Sequence, residues 1–64
     1  MTLAAFCNFY ELHPIIEGKL NKVNITGPHA LHFVSNQQLA DEVRLTVGEL
    51  ADVRDAQECW LLGD

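Results

Sequence analysis

Two short strings mark where helices must begin in this chain. Ser35-Asn36-Gln37-Gln38 and Thr46-Val47-Gly48-Glu49 each place a Gln or Glu three residues after a hydroxyl. The hydroxyl can accept the backbone N–H three positions on, while the long side chain reaches back to the N–H of the cap. Together with Thr2, Pro14 and Pro28, these strings divide 64 residues into five helical stretches.

Thr2 is read as the cap of a first helix running through Leu12, with Leu3, Phe6, Phe9 and Tyr10 at helical spacing. Pro14 disfavours helix at His13 and is itself welcome at a first helical position, so a second helix runs from Pro14 to about Lys22. It is expected to bury Ile15, Ile16 and Leu20, and Gly18 weakens it by roughly 1 kcal/mol relative to Ala. Asn21 to Gly27 reads as a loop pinned by Val23 and Ile25. Pro28 opens a short third helix that carries Leu31 and Phe33 inward. Ser35 caps a fourth with Leu39 and Val43 as its stripe. Thr46 caps the fifth, Val47 to Leu62, in which Leu50, Val53, Ala56 and Trp60 recur at three- and four-residue steps and Gly63 supplies the stop. The one alternating run, Lys22-Val23-Asn24-Ile25-Thr26, has no second strand to pair with. The expectation is an all-α fold: a compact five-helix bundle with a long C-terminal helix, in one domain over residues 1–64.

A chain this short buries only about 60% of its unfolded surface, so each large apolar side chain carries weight. Apolar residues make up 48% of it, which suits a packed core and argues against disorder. No apolar run approaches the roughly 18–20 residues of a membrane span. The opening Met1-Thr2-Leu3-Ala4-Ala5-Phe6-Cys7 lacks the basic start of a signal peptide. These features point to a soluble, intracellular, cytoplasmic protein. Cys7 and Cys59 are read as two reduced thiols, since secreted domains of this size usually carry more cysteines; a bridge between them stays open, because the first and last helices can pack together.

Charge is divided unevenly. Residues 1–32 balance Glu11 and Glu17 against Lys19 and Lys22. Residues 33–64 set Asp41, Glu42, Glu49, Asp52, Asp55, Glu58 and Asp64 against Arg44 and Arg54, which accounts for the whole net charge of −5. Such a half repels phosphate and invites a basic protein. A solvated acidic face that only aids solubility is the plainer alternative.

Little in the chain announces chemistry. His29 and His32 share a helix face, but a zinc site needs further ligands, and Cys7 and Cys59 would have to converge on them from elsewhere. Partly exposed histidines on a short helix are the simpler reading, and no metal or cofactor is expected. Neither cysteine has a glycine-rich turn beside it to serve an oxyanion. Asp41 and Glu42, adjacent on a helix, point apart and form no acid–base pair. A chain of this length also has little material for a water-excluding pocket. The reading is non-catalytic. Trp60 is expected to plug the core, whereas Trp60-Leu61-Leu62 wraps most of the way round a helix. At least one of these three must therefore face outward unless a partner covers it.

The apolar run of Leu3, Phe6, Leu12, Ile16 and Leu20 is followed by Ile25 opening a loop. Next come Ala30-Leu31-His32-Phe33-Val34-Ser35, then Leu39, then Gly48 with Val53. This order resembles a sterile alpha motif (SAM) domain over nearly the whole chain, through motifs that are mostly apolar spacing. It departs from the family in one extra residue between Ile25 and Leu39, and in Val43-Arg44-Leu45 where the family has Gly followed by an apolar residue. The basic residues of the RNA-hairpin-binding branch are missing from the last helix, so that branch is not implied.

The resemblance implies a five-helix fold and association with other proteins through two surfaces. One would hold Asp41, Glu42 and Gln38, the other Val47, Gly48 and Asp52. Both are acidic here, which favours a basic partner over self-assembly and leaves at most weak homo-oligomers. With Asp55 and the apolar Leu61 and Leu62 added, these are the candidate partner-binding residues. The expected function is a protein–protein interaction module with no nucleic-acid or membrane partner. The alternative is a small acidic inhibitor of phage type that occupies the basic, nucleic-acid-binding surface of a host protein.

Overall fold

In the computed structural model, which describes residues 1–63, helices start where short polar side chains can cap them. The Thr2 hydroxyl accepts the Ala5 N–H at 3.1 Å and opens α1 (Leu3–Phe9). His13, a cap the sequence reading does not anticipate, accepts the Ile15 N–H on Nδ1 at 3.1 Å ahead of α2 (Pro14–Lys22). Ser35 and Thr46 form complete capping boxes for α3 (Asn36–Asp41) and α4 (Val47–Leu61). Between α2 and α3 lies a 3₁₀ helix, η1 (Pro28–Phe33). No strand occurs among the described residues, so the chain is an all-α bundle of five helical segments, the last the longest.

Helix ends are set by backbone twist more than by glycine. Glu11 adopts φ 56°, and beyond it Leu12 donates to the Cys7 carbonyl at 2.8 Å while Glu11 donates to Asn8 at 3.3 Å. That is a Schellman closure, which lets Leu12 fold back onto the last turn. The first helix therefore stops at Phe9, not at Leu12 as its apolar spacing suggests. Asn24, at φ 62°, closes α2 the same way through Ile25 N–H to Leu20 at 3.1 Å. Arg44, at φ 65°, follows a wider closure in which Leu45 donates to Leu39 at 3.0 Å. Gly63 ends α4 at φ 85°. The helix stops one residue before the expected Leu62, which serves as its C-cap.

The core gathers Leu3, Phe6 and Cys7 from α1, Ile16 and Leu20 from α2, and Leu31, Leu39, Val53 and Ala56 from the later helices. Ile25, Val43 and Leu45 enter it from the connections. Gly27 is required by contact: a Cβ there would lie 2.8 Å from the Met1 carbonyl oxygen. Just beside it, Leu3 donates to the Thr26 carbonyl at 2.9 Å, which ties the start of the chain to the loop before η1.

Several expected core residues lie outside. Phe33 is 87% exposed, and Phe9, Ile15 and Val23 are also exposed. For Phe33 the reason is its position. Pro28 and Leu31, one 3₁₀ turn apart, take the buried side of η1, and Phe33, two residues beyond Leu31, falls on another side and faces solvent. Ile15 turns away because Ile16 and Leu20, four apart, take the inward face of α2. Trp60 is half-buried and packs against the core; the largest side chain fully within it is Phe6.

Candidate functional site

Two basic side chains of this acidic chain are taken up by its own fold. Lys19 on α2 sets Nζ 2.6 Å from Glu49 Oε1 and 2.9 Å from the Arg44 carbonyl oxygen. Glu49 Oε1 also accepts the Thr46 N–H at 2.9 Å. The Lys19 hydrogen bond first, then the backbone bond at Thr46, holds the Glu49 carboxyl below its ordinary pKa.

Arg54 on α4 reaches under the neighbouring helices. Nε donates to Asn36 Oδ1 at 2.7 Å, Nη1 to the Leu31 carbonyl at 3.1 Å and to Gln57 Oε1 at 2.7 Å, and Nη2 to the Val34 carbonyl at 2.6 Å. Burial lowers the guanidinium pKa, and Gln57 is itself buried. The charge therefore serves to clamp η1 and α3 onto α4 rather than to balance the outer acids.

Asp41, Glu42, Asp52 and Asp55 are all exposed, and among the described residues the ion pair within 4 Å is Lys19–Glu49 alone. These acids do not form one patch. Asp52 and Asp55, three apart on α4, line a groove of about 260 Å³ with Tyr10, Glu11, Leu12 and Ala56. Glu11 reaches it because the left-handed turn at the end of α1 places that residue against α4. Its part could not be read from the sequence, which sets Glu11 in the charge-balanced half.

Glu42 lies instead on a second groove of about 250 Å³, lined by Val23, Ile25, Phe33, Val34, Gln38 and Val43. Asp41 is beside it on the last residue of α3. Val47, 88% exposed, and Gly48 stand at the opening of α4. Leu61 and Leu62 are both exposed at its far end, roughly 20 Å away at helical rise. Along α4, Gly48, Asp52, Asp55 and Leu62 follow one stripe at helical spacing, so acids occupy its middle and an apolar residue its end.

Cys7 is buried, its thiol pushed up to about 11 by burial and then by the Glu17 charge, which keeps it protonated and unreactive at neutral pH. No disulfide joins Cys7 to Cys59. His29 and His32 are exposed, and among the described residues no three His, Cys, Asp or Glu side chains group so as to hold a metal ion. No described helix is long and apolar enough to cross a membrane. No protein-family model, curated protein or solved structure matches the chain.

Proposed function

We propose that this protein is a non-catalytic interaction module that binds a partner protein through the acidic side of α4, receiving a Lys or Arg of a basic surface. The observation that carries the reading is the groove in which Glu11, from the turn after α1, converges with Asp52 and Asp55 of α4 beside Tyr10, with no basic side chain on its lining. Three carboxylates around one concavity attract a cation more strongly than the same charges spread over a convex surface. Tyr10 adds a ring edge against which a lysine stem or guanidinium can lie. Val47, Gly48, Leu61 and Leu62, at the two ends of α4, are the outlying contacts of this reading, whereas Asp41 and Glu42 border the other groove. The arrangement suits a heterotypic, SAM-like adaptor better than a polymer, because like-charged copies repel. A buried, protonated Cys7 suits the reducing conditions of a cytoplasm.

Titration of the isotope-labelled protein with a short Lys/Arg-rich peptide tests this. Amide shifts should concentrate at Glu11, Asp52 and Asp55, weaken as salt rises, and vanish in the Asp52→Lys/Asp55→Lys variant. Shifts spread evenly over every exposed acid, and unchanged by that reversal, would reduce the groove to ordinary counter-ion attraction. Competition by duplex DNA for a natural basic partner would point to the inhibitor reading.

A further inference from the structure

We infer that the groove between the end of α2, η1 and α3 docks a segment of another protein that presents one large apolar side chain next to a Lys or Arg. The site shares no lining residue with the acidic groove on α4 and stands independently of it.

The floor and one wall are apolar: Ile25 and Val43 are buried at the bottom, Val34 is half-buried, and Val23 and Phe33 rise at the side. Phe33 is the most exposed aromatic residue of the chain, at 87%. An aromatic left in water beside a concavity is the kind of group that gains most when a partner covers it. The opposite wall, on α3, is polar. Gln38 has its Oε1 occupied by the Ser35 N–H at 3.0 Å, which leaves its amide Nε2 to donate outward. Glu42, one turn further along, is exposed and belongs to no ion pair among the described residues. An apolar trough edged by one carboxylate and one amide donor is complementary to an apolar anchor with a cation beside it and a backbone carbonyl within reach.

Size and charge select among occupants. At about 250 Å³ the groove is smaller than typical small-molecule sites, of roughly 300–1,000 Å³, and fits a side chain or two. Phosphate-bearing ligands would meet Glu42 and its neighbour Asp41. A second copy of the chain is disfavoured, since each copy carries a net charge of −5 and the two would repel. A basic partner segment satisfies both walls.

The probes are short amidated peptides with a single Leu, Phe or Trp anchor followed by two lysines, and matched peptides with two glutamates. Each is titrated into the isotope-labelled full chain up to millimolar concentration. At least one lysine peptide should shift the amides of Val34, Gln38, Glu42 and Val43. Phe33→Ala should weaken that binding roughly tenfold, and Glu42→Lys should reverse the preference for lysine over glutamate. Both positions are exposed, so an unchanged melting temperature certifies the variants. No shift at these amides with any peptide would overturn the proposal. So would shifts that persist in Phe33→Ala, or shifts confined to the surroundings of Asp52 and Asp55; the last would leave the acidic groove standing and remove this one.

Discussion

The Nζ of Lys19 lies 2.6 Å from Oε1 of Glu49, and that same oxygen accepts the Thr46 N–H at 2.9 Å. One carboxylate therefore closes the capping box of α4 and ties α2 to its first turn. Because these bonds favour the charged form, the folded pKa of Glu49 falls below its unfolded value. The stability it contributes is then present above the unfolded pKa and lost as pH drops through the lower folded one. Glu49→Gln should melt below the parent protein at pH 7. Thermal unfolding of both at pH 7 and near pH 3 should show that difference shrinking in acid. An equal gap at both pH values would mean that the charge of Glu49 adds nothing.

Arg54 makes four hydrogen bonds to three elements, two of them to the carbonyls of Leu31 and Val34. Removing the guanidinium leaves these acceptors and the buried Gln57 short of a donor. Bonds from a charged donor contribute about 1.5–3 kcal/mol and are not additive. Arg54→Ala should therefore cost about 2–3 kcal/mol, a fall in melting temperature of roughly 10 °C or more for a domain of this size. Arg54→Lys should recover less than half of that, because an ammonium cannot serve the divergent acceptors of a planar fork. Urea denaturation of the two variants measures both.

Arg44 holds φ 65° with a full side chain, a conformation that costs a non-glycine L-residue on the order of 1–2 kcal/mol. Its side chain is exposed, the closure uses the backbone, and it is the Arg44 carbonyl that accepts the bond from Lys19 Nζ. Arg44→Gly should therefore stabilise the protein by about 0.5–1 kcal/mol after the added freedom of the unfolded chain is counted. Asn24→Gly, at a residue type that tolerates this region, should change stability by only a few tenths of a kcal/mol. Chemical denaturation of the pair reads the contrast, and a loss of stability in Arg44→Gly would refute the assignment of strain.

What could be read from the chain divides along the range of the interactions. The capping boxes at Ser35 and Thr46 join residues three apart, so the sequence contains both partners. The stripe of Leu50, Val53, Ala56 and Trp60 needs only the helical period. Phe33 fails that test because it stands two residues from Leu31, which puts the two on different sides at either helical period. The stops at Glu11 and Arg44 were hidden because the recognised signal for a left-handed cap is Gly or Asn, which identified Gly63 alone. Both grooves lie further out of reach. Asp52 and Asp55 were visible as acids on one face, yet their partnership with Glu11 depends on how α1 meets α4. Arg54, entered only in the charge balance, is a clamp only once Leu31, Val34 and Asn36 are brought beneath it.

Cys7 supplies a prediction at the other end of the pH scale. Burial first, and then the Glu17 charge, raises its thiol from 9.0 to about 11. An acid whose folded pKa is raised favours the folded state below the unfolded pKa and loses that contribution as pH climbs to the folded value. Stability should therefore decline between pH 9 and about 11, and more gently in Cys7→Ala, whatever the cost of the cavity that substitution leaves. The same burial predicts slow alkylation. In the native protein iodoacetamide should label Cys59, which is only half-buried, well before Cys7. Denaturant should then bring the two to similar rates. Mass mapping of the labelled peptides over time decides it, and equal labelling of both thiols in the native state would show that α1 opens far more readily than its packing implies.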